Sequence, residues 1–462
     1  MKIFGSLSSR PSGQPFIYSL LTTVLGAQVA LAVIQLDLNS EQSIKNAAKE
    51  AAAGLVSYYT GYKPGDVPGN LPDPYYWWEA GAMFGALVDY YWYTGDDQYN
   101  AITKQALMHQ IGANSDYMPE NQTRTLGNDD QAFWGIAAMS AAETKFEDPP
   151  EDQPQWLALA QAVWNSQVPR LEEETCGGGL RWQIYNFNKG YHYKNSISNG
   201  CFFQMGARLA RYTKNDTYAK IAEQTYDWME RINLISPTYQ VFDGTDVNDN
   251  CSSQNHIQWT YNNGVIMLGL AAMYNYTEDI KWKTRLDGII KSQSVFYSKD
   301  PPDVMVEVAC EGNGKCNIDQ RSFKAYLARW MAATIQLAPH TTGDLLPRIK
   351  ASAKAAALQC NGPGNACGHF WSKGAEYAGR SGVGEQMAAM EIFQINLLKP
   401  HMGPVDKDSG TSKGDPSAGT GSRSGAAIAP PSQITSGDRV GAGFMTTVIL
   451  LGIAGGAWWM LS

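Results

Sequence analysis

The 462-residue chain lacks a basic cluster, a Cys-x-x-Cys pair and any sustained alternation of polar and apolar residues. Its 36 Lys and Arg stand against 44 Asp and Glu, for a formal net charge of -8. Without a basic stripe to neutralise phosphates, a nucleic-acid partner is not expected. Six histidines are scattered without ligand spacing, so neither a metal site nor a cofactor is expected. The missing alternation excludes a β-sandwich or β-barrel.

Both ends of the chain carry long apolar runs. Lys2 and Arg10 precede an apolar stretch from Phe16 that closes on Ala30-Leu31-Ala32, the pattern of a cleaved secretory signal over residues 1–32. From 401 to 424 the composition turns to Gly, Ser, Pro, Asp and Lys, which reads as a flexible linker after a folded domain at 33–400. After the small residues Ser424-Gly425-Ala426 come a polar spacer to Arg439 and an apolar tail with no basic residue after it, so residues 425–462 form one segment. That order predicts a GPI-attachment signal with Ser424 as the attachment residue. A secreted chain would travel through an oxidising, glycosylating route. Seven cysteines and sequons at Asn121, Asn215, Asn250 and Asn275 agree with it. Cys310 with Cys316 and Cys360 with Cys367 are near enough in sequence to close small loops, while Cys176, Cys201 and Cys251 leave one partner short.

Between the ends one phrase returns: Tyr93-Thr94-Gly95-Asp96, Tyr212-Thr213-Lys214-Asn215, Tyr276-Thr277-Glu278-Asp279 and Thr341-Thr342-Gly343-Asp344, with a weaker copy at Glu143-Thr144-Lys145. Each copy follows an apolar helical pattern and precedes a more amphipathic one, as in a repeat of helix pairs. The stretches Trp78 to Tyr91, Ala132 to Ala142, Ser198 to Tyr212, Asn263 to Tyr276 and Phe323 to Leu337 are apolar nearly all round, so they belong inside. Ala219 to Ile232, Ile280 to Ser292 and Leu345 to Leu358 carry a charged face and belong outside. About twelve helices fit between Ser43 and Leu398, and six inner plus six outer elements predict an all-α (α/α)6 barrel.

Four polar or aromatic stretches lead into inner helices: Tyr75-Tyr76-Trp77-Trp78-Glu79, Asn128-Asp129-Asp130, Lys194-Asn195-Ser196-Ile197-Ser198-Asn199 and Gln258-Trp259-Thr260-Tyr261-Asn262. In a barrel such loops gather at one end. Aromatic faces there pack on pyranose rings, and amides and lysines bond hydroxyls. Expected sugar contacts are Trp77, Trp78, Glu79, Asn128, Trp134, Trp182, Lys194, Asn195, Ser198, Asn199, Gln258, Tyr261 and Asn262. Asp129 and Asp130 stand beside a helix expected to begin at Gln131. Two carboxylates held close cannot both ionise easily, which suits a division into nucleophile and acid for breaking a glycosidic bond. The same residues also suit a plain helix cap, and their types alone leave both readings open.

The motifs Tyr75 to Gly81, Thr125 to Gly135, Cys176 to Trp182, Tyr193 to Gly200 and Gln258 to Gly264 resemble those of glycoside hydrolase family 76, the endo-1,6-α-mannanases, in its fungal GPI-anchored branch. The resemblance covers roughly Gln35 to Lys399. It implies a retaining mechanism on α-1,6-linked mannan or on mannose-containing GPI glycans, with Asp129 as nucleophile and Asp130 as general acid/base. It also implies work in wall biogenesis at the outer face of the plasma membrane. With water as acceptor the outcome is hydrolysis. With β-glucan as acceptor the same intermediate gives transglycosylation. A wall-binding protein without turnover is the other class of reading, and two mutually repelling acids argue against it.

Overall fold

The computed structural model describes residues 34–377, 379–399, 402–421 and 436–461. The signal peptide expected at 1–32 and the attachment residue Ser424 lie outside the described residues. Twelve helices run from residue 41 to residue 394: α1 Glu41–Val56, α2 Trp77–Thr94, α3 Asn100–His109, α4 Asn128–Glu143, α5 Trp156–Gln167, α6 Ser196–Thr213, α7 Asp216–Arg231, α8 Thr260–Thr277, α9 Ile280–Ser292, α10 Ile318–Leu337, α11 Thr342–Gln359 and α12 Val383–Gln394. A further helix, α13, spans Ser436–Leu461.

The repeated phrase is the hinge between helices. In three copies the threonine hydroxyl donates back to the carbonyl four residues earlier: Thr94 to Tyr90, Thr213 to Leu209 and Thr277 to Met273. The next residue, Gly95, Lys214 or Glu278, takes the left-handed conformation that ends the helix. The Asx after it starts the following one: Asn215 and Asp279 accept from the backbone N–H of Thr217 and Lys281. Thr144 and Lys145 repeat the first two moves at the end of α4. The Thr341 copy differs, because Gly343 and Asp344 already lie in the first turn of α11.

The helices so hinged alternate between two layers. α2, α4, α6, α8, α10 and α12 each neighbour the next, and α12 returns to α2, closing the ring expected from the sequence. α1 packs outside α12, so the two ends of the domain meet. Burial follows the pattern: α6 is buried at every position from Ser196 to Tyr212. α7 buries only the stripe Tyr218, Ala219, Ala222, Thr225, Tyr226, Trp228 and Met229. Inner helices approach closely where glycine allows it. A Cβ on Gly384 of α12 would stand 2.8 Å from the backbone N of Ser322 in α10.

Strands are few. β1 Tyr193–Asn195, β2 Gly244–Asp246 and β3 Gln254–Asn255 form one small antiparallel sheet at the entrance to α6. Disulfides join Cys310 to Cys316 and Cys360 to Cys367, as expected. A third ties Cys176 to Cys251, which leaves Cys201 as a buried thiol.

At the C-terminal ends of the inner helices, buried ions lock the ring. Arg329 of α10 meets Asp89 of α2 at 2.7 Å and Glu391 of α12 at 3.8 Å. Arg208 of α6 meets Glu143 of α4 at 2.7 Å. The segment after the ring corrects the expectation of a flexible linker from 401. Residues 402–421 lie against this end of the barrel. Val405 N donates to Glu143 O, Lys407 N to Tyr212 O, and Arg211 to the carbonyls of Pro404 and Val405. Ser412, Asp415 and Ala418 are held by Leu157, Gln161 and Asn165 of α5. Composition reported the lack of an apolar core in this stretch, but the stretch is anchored by polar partners on the domain. Within α13, Arg439–Trp458 is long and apolar enough to cross a membrane by length and composition, with mean hydropathy 1.8.

Candidate active site

The loops entering the inner helices gather at the opposite end, where two connected chambers open. The first, of about 200 Å³, is lined by Trp78, Asp129, Asp130, Phe133, Trp182, Tyr193, Asn195, Asp243, Tyr261, Asp319 and Phe323. The second, of about 360 Å³, is lined by Tyr76, Trp77, Trp78, Gln122, Thr125, Leu126, Asp130, Trp182, Gln183 and Asp319. Asp130 faces both chambers. Asp129 faces the first.

Helix α4 begins at Asn128, three residues earlier than expected, so both acids ride on its first turn. There the exposed backbone N–H groups favour negative charge. Asp130 Oδ2 accepts from Gly127 N at 2.7 Å, so this acid does cap the helix while also facing the cavity. Glycine at 127 leaves both acids their places. A Cβ on Gly127 would stand 2.4 Å from Asp129 Oδ1 and 3.2 Å from Asp130 Oδ2. These two lengths set an upper limit of about 5.6 Å on the separation of those two oxygens, below the roughly 6.5 Å and above of an inverting pair.

Burial, with the neighbouring charge of Asp130, pushes the Asp129 carboxyl well above the ordinary carboxylate range; the Ser198 side chain and the first backbone N–H groups of the helix oppose this. Burial raises Asp130 to about 6, opposed by the Gly127 N–H and helped by Asp319. The pair therefore holds one proton near neutrality. Positive charge developing on a bound sugar would favour an ionised Asp129, since the Ser198 side chain and helix N–H groups already support that form.

Around the pair, Tyr261 stacks on Phe323 with ring centroids 3.8 Å apart, and Trp78 packs on Phe133 at 4.9 Å. The small sheet delivers a third acid. Asp243 accepts from Tyr193 Oη at 2.7 Å and Trp259 Nε1 at 2.9 Å. A fourth, Asp319, sits in the first turn of α10; burial pushes it up to about 6, against the opposing effect of the nearby Trp78 side chain. Among the described residues, no cluster of three or more His, Cys, Asp or Glu is arranged to hold a metal ion.

Of the expected sugar contacts, Trp78, Trp182, Asn195 and Tyr261 line the first chamber, and Trp77 lines the second. The buried Ser198 hydroxyl of α6 makes no hydrogen bond in this arrangement, and its proximity favours the ionised form of Asp129. Others serve the scaffold instead. Trp134 is fully buried, stacked between Trp77 and Tyr117, with Nε1 donating to Trp77 O. Glu79 accepts from Tyr76 N to cap α2, and burial raises it to about 8. Asn128 ties Arg181 O to Arg170, and Asn199 clamps both backbone groups of Leu180. The Lys194 ammonium is buried beneath the Cys176 loop, bonded to the carbonyls of Thr175 and Gly178. Gln258 and Asn262 stand outside both chamber walls, and the buried Asn262 amide has no hydrogen-bond partner.

The residues that were not anticipated are Tyr76, Gln122, Thr125, Leu126, Phe133, Gln183, Tyr193, Asp243, Asp319 and Phe323. Asp319 carried a readable sign, an acid in the first turn of an inner helix as in α4. The sequons at Asn121, Asn215, Asn250 and Asn275 are all exposed, although the Asn275 amide also bonds Leu337 O and Arg211.

A family model described as glycosyl hydrolase family 76 matches residues 43–408. Mannan endo-1,6-alpha-mannosidase DCW1 of Eremothecium gossypii is 48% identical over 423 residues, covering 90% of this chain and 92% of the relative. The crystal structure of Dfg5 from Chaetomium thermophilum in complex with glucosamine superposes with a TM-score of 0.80 at 44% identity, over 84% of this chain and 98% of that one. An inactive variant of the α-1,6-mannanase GH76A from Salegentibacter sp. HEL1_6, in complex with α-1,6-mannotetrose, shares the fold. Its TM-score is 0.63 at 17% identity, over 77% of this chain and 99% of the other.

Proposed function

Because this chain belongs to glycosyl hydrolase family 76 and is a glycoside hydrolase, we propose that it is a retaining endo-α-1,6-mannanase with Asp129 as nucleophile and Asp130 as general acid and base. The observation that carries the reading is the pair on one helical turn, with two of its oxygens at most about 5.6 Å apart at the floor of an aromatic cavity. The substrate class follows the 48% identical relative, a mannan endo-1,6-alpha-mannosidase.

In the first step an Asp129 oxygen attacks the anomeric carbon from the first chamber. The bond to the leaving oxygen breaks, and Asp130 gives that oxygen its proton. In the second step Asp130 takes a proton from the acceptor hydroxyl. The acceptor oxygen displaces Asp129 from the sugar, and the acid pair returns to its starting state. Burial serves both steps, since the low dielectric strengthens the interaction of the carboxylate with a cationic sugar carbon.

The chain's destination is part of the same proposal: secretion, glycosylation at exposed sequons, and GPI attachment at the outer face of the plasma membrane for work on the wall. A mannose-containing GPI glycan is the second donor the reading admits. The structure of Dfg5 from Chaetomium thermophilum, with glucosamine bound, favours testing it. The test is product sizing from α-1,6-mannose oligosaccharides. Internal cleavage by the chain and its loss in Asp129→Asn are expected, and unchanged cleavage in that variant contradicts the assignment.

A further inference from the structure

Two walls of the first chamber come from different parts of the chain. Tyr193 and Asn195 reach it from β1, and Trp182 reaches it from the loop that follows Cys176. Lys194 stands between Tyr193 and Asn195 on the strand, so its side chain points to the other face, where it is fully buried. There the ammonium donates to Thr175 O at 2.8 Å and Gly178 O at 2.6 Å, and meets Glu172 Oε1 at 3.3 Å. Three successive glycines at positive φ, Gly177 to Gly179, fold the loop around it. A Cβ on Gly179 would stand 2.2 Å from the Trp228 ring beneath.

From this loop the contacts run on to the acids. Trp182 N donates to Tyr193 O at 2.7 Å, and Asn128 N donates to Trp182 O at 2.9 Å. Asn128 Nδ2 donates to Arg181 O at 2.8 Å. Asn128 is the first residue of α4, next to Asp129.

We propose that Lys194 is a positioning residue for glycoside cleavage: a buried ammonium that latches the Cys176 loop to β1, and through that loop holds Trp182 and the first turn of α4 in place around the donor sugar. The proposal rests on the retaining reading above. The charge matters because its partners are two carbonyl oxygens and a carboxylate, which bind a cation more strongly than a neutral donor, the more so when buried. The loop has further anchors on its outer side. Arg231 donates to Gly177 O from an exposed position on α7, and Trp228 Nε1 donates to Cys176 O. The bonds from Lys194 join the two chamber walls directly.

Protonation gives the latch a signature. Burial lowers the ammonium to about 8, Glu172 opposes the shift and Arg181 adds to it. Those two are the charged groups that face it among the described residues. The cation is therefore present below about pH 8 and lost above it. Asp129 and Asp130 titrate with or without Lys194, so the activity ratio of the unmodified chain to a Lys194 variant cancels their profile.

The test compares the full chain with Lys194→Met and Arg231→Ala on an α-1,6-linked mannose oligosaccharide from neutral pH to about pH 9. Hydrogen exchange of residues 126–130 and 175–184 is followed in the same proteins. At neutral pH, kcat/KM of Lys194→Met should fall about 10²-fold, the cost of displacing a reacting group by about 1 Å, while Arg231→Ala stays within about twofold. The ratio of unmodified chain to Lys194→Met should shrink above about pH 8, and exchange in both segments should quicken in the variant. Glu172→Gln removes the group that opposes burial, so it should move the alkaline fall of kcat/KM to lower pH. An unchanged kcat/KM in Lys194→Met, an equal loss in Arg231→Ala or a ratio flat across pH overturns the proposal. If Lys194→Met does not fold, Glu172→Gln decides, and an unmoved alkaline fall overturns the latch. No cleavage by the unmodified chain contradicts the mannanase reading instead. Exchange then decides the latch by itself, and unchanged rates in Lys194→Met overturn it.

Discussion

Gly127 lies directly beneath Asp129: a Cβ on its α-carbon would meet Asp129 Oδ1 at 2.4 Å, closer than any carbon sits to an oxygen without displacing it. The backbone there is extended at φ -84° and ψ 163°, which any residue adopts. Gly127→Ala should therefore fold. It should still lose activity, because displacement of a reacting group by about 1 Å costs on the order of 10²-fold in rate. Measured together, kcat should fall by about that factor while the thermal midpoint moves little. A variant with near-normal kcat would mean that the Asp129 oxygen is not held where the reaction needs it.

Burial pushes Asp130 to about 6 and Asp129 well above the ordinary range. Below the lower value both carboxyls are protonated and no nucleophile exists. Above the higher one both are ionised and no acid exists. The profile of kcat/KM against pH should then fall with unit slope below about pH 6, instead of near the ordinary carboxylate value of about 4. Steady-state assays on a mannose oligosaccharide in buffers from acid to neutral check this.

How much of this site was readable depends on what fixes a side chain's direction. Asp129, Asp130 and Trp78 were legible as polar and aromatic residues at inner helix starts, and Trp182 as an aromatic closing the glycine-rich Cys176 loop. Glu79, Asn128, Lys194 and Asn199 carry the same side-chain types at the same helix starts. They turn to cap Tyr76, bind Arg170, sit under Thr175 and clamp Leu180. Helical rotation and loop packing decide between these roles, and neither is written in local spacing. Asp243 arrives on a small sheet whose strands are too short for alternation to show. The alternation of apolar and amphipathic helices was readable throughout, because burial on all sides leaves a compositional trace.

The segment at 402–421 was unreadable for the opposite reason: its anchors are on other parts of the chain. A chain ending at 421 should keep the stability of the longer form. One ending at 400 loses the partners of Arg211, Gln161 and Asn165, along with the backbone bonds to Glu143 and Tyr212. With each hydrogen bond worth about 0.5 to 1.5 kcal/mol net, the unfolding midpoint should drop by about 5 °C or more, read by thermal melts of the two truncated chains.

Arg329 bridges Asp89 and Glu391, with all three side chains largely buried. Arg329→Met leaves two buried acids without the cation that bridges them, and loss of such a partner costs about 3 to 5 kcal/mol. Urea unfolding should show that loss. Replacement of Asp89 and Glu391 by their amides in the same background should recover part of it.

The central claim is that Asp129 forms a bond to the sugar, so stereochemistry is its most direct test. Proton NMR of the chain acting on an α-1,6-linked mannose oligosaccharide resolves the anomer released before mutarotation mixes the two forms. The α-anomer first is the predicted result, two inversions through a mannosyl-enzyme. The β-anomer first would mean a single displacement by water and would contradict the account.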